Sequence, residues 1–170
     1  KKLIKKSTLG AIALITTVLT GISIPTYATS NSDIENIAKN APQAIIQDED
    51  WTNIEVLNCK PLYNFDNELV AYSVDLKNNV NNKDAFVIVS KDEKDGPILQ
   101  LGVDTKSPYD KVHDDKNLIY DGLSGYYYKE TSSNEYYDVT NDKIIENEQL
   151  NDLKSNSKKK RSISKNPNMA

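Results

Sequence analysis

The chain has 170 residues, 25 acidic and 21 basic side chains, and only one cysteine and one histidine. The lone cysteine excludes an intramolecular disulfide framework, and one Cys with one His excludes a zinc site unless carboxylates complete it. The acid excess disfavours nucleic acid and anionic lipid as partners.

Lys1, Lys2, Lys5 and Lys6 open the chain, and no acid precedes Asp33. Leu9 to Ile24 is apolar or small, Pro25 follows, and Thr26-Tyr27-Ala28 supplies the small residues a signal peptidase reads. Charged start, short apolar stretch and small-residue exit give a secretory signal over 1–28, cleaved after Ala28. A spanning helix needs about 20 uninterrupted apolar residues, whereas Thr, Ser, Gly and Pro break this stretch. The expectation is a secreted protein that meets a membrane only during export. Its wealth of Lys, Asn, Asp and Ile is that of an AT-rich bacterial genome. Beyond residue 28 all 25 acids remain. The bases concentrate at the end, where Lys154, Lys158, Lys159, Lys160, Arg161 and Lys165 have no acid among them. One domain over 29–153 and an unstructured basic tail over 154–170 follow.

Ser32 with Glu35 three residues on fits a capping box, and Ile34, Ile37, Ala38 and Ala41 fall at helical spacing. Pro42 is expected to end or bend this helix, with a further turn through Ala44–Ile46. From Trp51 the pattern becomes extended. One strand runs from Ile54 to Tyr63, Asn64–Asn67 forms a hairpin loop, and a second strand follows over Leu69–Leu76. Lys77 to Lys83 is an Asn-rich loop. Ala85–Ser90 is the most apolar run beyond the signal and makes a central strand. Lys91–Gly96 is a charged turn, and Pro97–Gly102 the next strand. Leu118–Tyr120, Tyr126–Tyr128 and Tyr136–Val139 form a second small ribbon, and a last helix spans Asp142 to Leu153. The class is α+β: an antiparallel meander sheet with one or two helices packed on a face.

The residues offer little catalytic chemistry. A Cys59–His113 dyad is the sharpest candidate, but Cys59 falls within a strand rather than at a helix start, and His113 lies among charged loop residues. Asp48-Glu49-Asp50 and Asp114-Asp115 lack the alternating ligands, glycine and terminal Glu of a calcium loop. No phosphate or dinucleotide loop is present. The expectation is a protein that is not an enzyme and needs no cofactor or metal. Six of the ten tyrosines fall between Tyr120 and Tyr137. Tyrosine gives rigid amphipathic area suited to binding, or alternate ones pack inward along a ribbon. Candidate partner contacts are Asn64, Asp66 and Asn67 on the first hairpin loop and Tyr126, Tyr127 and Tyr128 on the ribbon.

Lys60-Pro61-Leu62-Tyr63-Asn64, Leu69-Val70-Ala71-Tyr72, Ala85-Phe86-Val87-Ile88-Val89-Ser90-Lys91-Asp92 and Pro97-Ile98-Leu99 resemble the prosegment of streptopain-type (C10) cysteine peptidases. They are equally similar to the free-standing inhibitors homologous to that prosegment. Ala85 stands where the family usually has Gly. The resemblance implies a prosegment-like α+β fold and a noncatalytic role in occupying the cleft of a secreted papain-like cysteine peptidase. It places the family's catalytic Cys and His in a separate domain, so neither Cys59 nor His113 corresponds to them. The alternative is a secreted module that binds a cell-wall glycan or host protein through the tyrosine ribbon.

Overall fold

The computed structural model describes residues 30–46, 49–92, 97–122 and 125–165, the last six of these by backbone alone. The signal-like segment 1–28 and most of the charged turn 91–96 lie outside the described residues.

Helix α1 spans Asn31–Ile45. Its cap is Ser30 rather than Ser32: the Ser30 hydroxyl accepts the Asp33 N–H at 3.3 Å, and the Asp33 carboxylate accepts the Ser30 N–H at 3.2 Å. Both Ser–acid pairs have capping-box spacing. The earlier pair prevails because each residue added to a nucleated helix gains a backbone bond. Pro42 does not end the helix. It sits in the last turn, where its missing N–H forfeits one bond, and its ring is buried with Ile34, Ile37, Ala38 and Ala41.

The strands are β1 (Ile54–Tyr63), β2 (Leu69–Asn78), β3 (Lys83–Ser90), β4 (Ile98–Val103), β5 (Asn117–Tyr120), β6 (Tyr126–Lys129), β7 (Tyr136–Asp138) and β8 (Lys143–Ile144). They form one sheet in the order β4-β3-β2-β1-β5-β6-β7-β8. Among the described residues all pairings are antiparallel except β1 with β5, which meet in parallel at Tyr63 and Ile119. The α+β meander with helices is therefore present, and the ribbon is continuous with it. The Asn-rich loop narrows to four residues because Asn78 extends β2. Its buried side chain donates to Asp50 O at 2.7 Å and accepts the Val80 N–H at 2.9 Å.

Helix α2 covers Asn147–Lys165, starting later and ending later than expected. It starts late because Lys143–Ile144 pair with β7 instead. It ends late because the chain expected to be an unstructured tail is helical through Lys165, with contacts to the sheet over residues 154–158. The Lys154 ammonium lies 5.0 Å from the Tyr136 ring centroid, Lys158 reaches Asp66 at 3.5 Å, and Ser157 is only 5 % exposed. Lys and Arg are good helix formers, so a basic composition alone did not preclude helix.

The sheet has two apolar faces. On one, α1 packs against Val74, Leu76, Ala85, Val87, Val89 and Leu101, with Trp51 buried at the end of the same cluster. Alternation along β1 puts Tyr63 on the Cys59 side, which is this face. There Tyr63 joins Phe65, Ile119, Tyr127 and Ile145, covered by Leu150 and Leu153 of α2. On the other face Leu62, Ala71, Phe86 and Ile88 of the meander meet Leu118, Tyr120, Tyr126 and Tyr128 of the ribbon. Gln100 on β4 donates to the Tyr126 hydroxyl on β6 at 2.5 Å, across four intervening strands. A flat sheet would hold those strands about 24 Å apart, so the sheet curls until its two halves touch. On the same face the Phe86 ring lies over its cross-strand partner Gly102, where a Cβ would fall 2.1 Å from it.

Candidate interaction surface

Cys59 and His113 do not assemble into a dyad. Cys59 faces the α1 side of β1. Its neighbour Lys60 points the other way and donates to Val112 O at 2.9 Å, so the loop carrying His113 crosses the opposite face. Burial, reinforced by Glu35 and Asp75, pushes the Cys59 thiol up to about 11, away from the thiolate. Among the described residues no three Cys, His, Asp or Glu side chains converge on a metal-sized space.

Because β1–β4 alternate in direction, the hairpin loop 64–68 and the β3–β4 turn share one end of the sheet, and the 79–82 turn lies at the other. The parallel β1–β5 pairing brings the β5–β6 turn to the first end too, and the antiparallel order adds the β7–β8 turn. The four segments that carry the resemblance gather there as neighbours. Pro61, Tyr72, Val89 and Ile98 are cross-strand partners in a single row.

The three candidate residues of the 64–68 loop divide into a scaffold and a tip. Asn64 is 3 % exposed, and its side chain is spent on the loop itself. Its Oδ1 accepts the Asp66 and Glu68 N–H groups at 2.8 and 3.0 Å, and its Nδ2 donates to Glu68 Oε2 at 2.7 Å. Asn67 takes φ 62°, a left-handed turn that Asn tolerates better than most residues. Asp66 and Asn67 are exposed at the tip, with Lys158 of α2 beside Asp66.

The ribbon candidates divide by face. Tyr127 is buried against Phe65, at 5.6 Å between centroids. Its hydroxyl leaves no room at Gly125, where a Cβ would lie 2.3 Å from it. Tyr126 and Tyr128 are half-buried on the other face. Tyr126 meets Tyr109 edge-on at 5.7 Å. Tyr128 stacks parallel on Tyr137 at 4.9 Å and donates its hydroxyl to Asp142 Oδ1 at 3.1 Å. Burial raises the Tyr128 phenol, and so does the bond to Asp142. Sequence reasoning passed over Tyr137, the stacking partner, and Tyr136, whose ring lies below Lys154 and Lys129. Period-two alternation along β7 was the available signal, since it assigns the two tyrosines to opposite faces.

No family model, curated protein or solved structure matches the chain.

Proposed function

We propose that the chain is a secreted, noncatalytic inhibitor or prosegment of a papain-like cysteine peptidase that acts by covering the enzyme's cleft. The observation that supports this reading best is the gathering of its four prosegment-like segments into one row at one end of the meander. That end offers a rigid hairpin loop, fixed by Asn64, with Asp66 and Asn67 at its tip. A loop already held in its bound shape loses little entropy on docking. The excess of carboxylates favours a basic enzyme surface and speeds encounter in a salt-dependent way. The Cys59 thiol, protonated at neutral pH, is consistent with a chain that brings no nucleophile of its own.

The test is a titration of secreted cysteine-peptidase activity with the purified chain. Loss of activity at a one-to-one ratio, weakening as salt rises, is the expected result. No inhibition at any ratio by protein with a native circular-dichroism spectrum would sink the reading.

The parallel Tyr128–Tyr137 stack favours a second reading, a surface module that binds a glycan or host protein through the ribbon. That reading expects affinity insensitive to salt and abolished by Tyr128→Ala, with peptidase activity untouched.

A further inference from the structure

Between β4 and β5 the chain must cross from the edge of the meander to the strand beside β1. Residues 104–116 make this crossing over the face that carries Leu62, Phe86 and Ile88. The strap is fastened at successive strands. Ser107 shares a 2.8 Å hydroxyl–hydroxyl bond with Ser73 on β2. Lys60 on β1 donates to Val112 O at 2.9 Å and meets Asp114 at 3.0 Å. The fully buried Tyr109 donates to Ile119 O on β5 at 2.7 Å.

Under the strap lies Asp75 of β2, whose register partner on β3 is Phe86. The Ser107 N–H bonds its carboxyl group, yet Oδ1 is buried with no hydrogen-bond partner among the described residues. The charges around it oppose one another. Asp110 on the strap repels its anion, while Lys60 from β1 and Lys106 from the strap attract it. Both cations are already engaged, Lys60 with Val112 and Asp114 and Lys106 with Asp110 at 3.4 Å. From β3 the neighbour in register is apolar, and Cys59 sits across the sheet.

We propose that residues 104–116 are an acid-fastened strap: a proton on Asp75 holds it down, and ionisation of Asp75 loosens it from Leu62, Phe86 and Ile88. The orphaned oxygen is where a proton removes the cost of a buried half-charge. Burial, then Asp110, lifts this carboxyl from 3.8 to about 6. The fastened strap therefore binds the proton more tightly than an open one would. Fastening gains as pH falls through 6, reaches its full benefit below the ordinary carboxyl value, and is lost above 6. Between pH 7 and pH 5 the closed-to-open ratio should rise about three- to tenfold, the smaller figure allowing for partial exposure.

Hydrogen exchange of the full chain at pH 7 and pH 5, corrected for intrinsic exchange, tests this. The Asp110, Val112 and Lys116 amides report the strap, and Val87 in β3, fully buried, reports global unfolding. Strap protection should rise about three- to tenfold at pH 5, with the strap amides less protected than Val87 at both pH values. Asp75→Asn should give the acid-level protection at both pH values. Asp110→Asn removes the repulsion, should move the midpoint to lower pH, and serves even if the Asp75 variant does not fold. Flat strap protection in the wild type, a pH response that survives in Asp75→Asn, or an unmoved midpoint in Asp110→Asn overturns the proposal.

Discussion

The meander β1–β4 and the ribbon β5–β8 share one sheet but are built from different side chains. The meander has strands of 6 to 10 residues, and Val74, Leu76, Val87, Ile88 and Val89 are wholly buried in it. These aliphatic side chains need no polar partner, so the meander can close on packing alone. The ribbon has strands of 2 to 4 residues whose interior is largely tyrosine. A buried phenol must find a hydrogen-bond partner. Tyr109 and Tyr126 find theirs at Ile119 O and at Gln100, which tie the strap to the ribbon and the ribbon to the meander. The ribbon therefore depends on the meander more than the reverse.

The comparison breaks most visibly in the meander core. Trp51→Ala is expected to cost about 3–5 kcal/mol, since the ring is almost fully buried. Urea denaturation should show a single transition, because the ribbon cannot persist without its support. A ribbon that outlived the meander as a separate transition would invert the dependence. Next in size is Tyr109→Phe, which removes the bond to Ile119 O at the joint. It should cost about 0.5–1.5 kcal/mol and speed exchange at the ribbon amides while leaving those of β3 protected.

A smaller effect is expected from pH. Asp75 is raised to about 6, so its folded form favours the proton. Its contribution is present at acid pH and fades as pH rises through 6, on the order of 1 kcal/mol after discounting for partial exposure. Asp50, Asp115 and Glu130 shift downward through hydrogen bonds from Thr52, Lys116 and Lys116. Their contribution is present above the ordinary carboxyl range and is lost below it. Thermal melts should therefore show stability rising from pH 7 toward pH 5 and falling again below about pH 4. Asp75→Asn should remove the rise alone. The smallest expected effect is Lys158→Ala, below about 0.5 kcal/mol, because its ion pair with Asp66 is exposed.

The same contrast explains how much was legible in the sequence. The Ala85–Ser90 run and the Leu69–Leu76 alternation announced β3 and β2, since aliphatic burial leaves a periodic trace. The tyrosine segments were legible as strands, but their attachment to β1 was not. It rests on one parallel contact and a curl that joins Gln100 to Tyr126, and neither has a local sequence signature. The helix start is ambiguous by two residues in the sequence, because Ser30–Asp33 and Ser32–Glu35 both meet the same capping rule. The helix at the basic end has no local signature, since its contacts are to Tyr136 and Asp66, both distant in sequence. For the candidate contacts, Asp66 and Asn67 were legible as a loop tip. The roles of Asn64 as scaffold and Tyr127 as core required the fold.

The proposed inhibitor reading is tested most directly at the peptidase's own catalytic cysteine. Alkylation of that thiol by iodoacetamide would be timed with the enzyme alone and with excess chain, at low salt. A covered cleft predicts that the chain slows alkylation in proportion to the enzyme it binds, with the rate recovering as salt rises. Alkylation at the same rate, with the chain folded and in excess, would contradict occlusion.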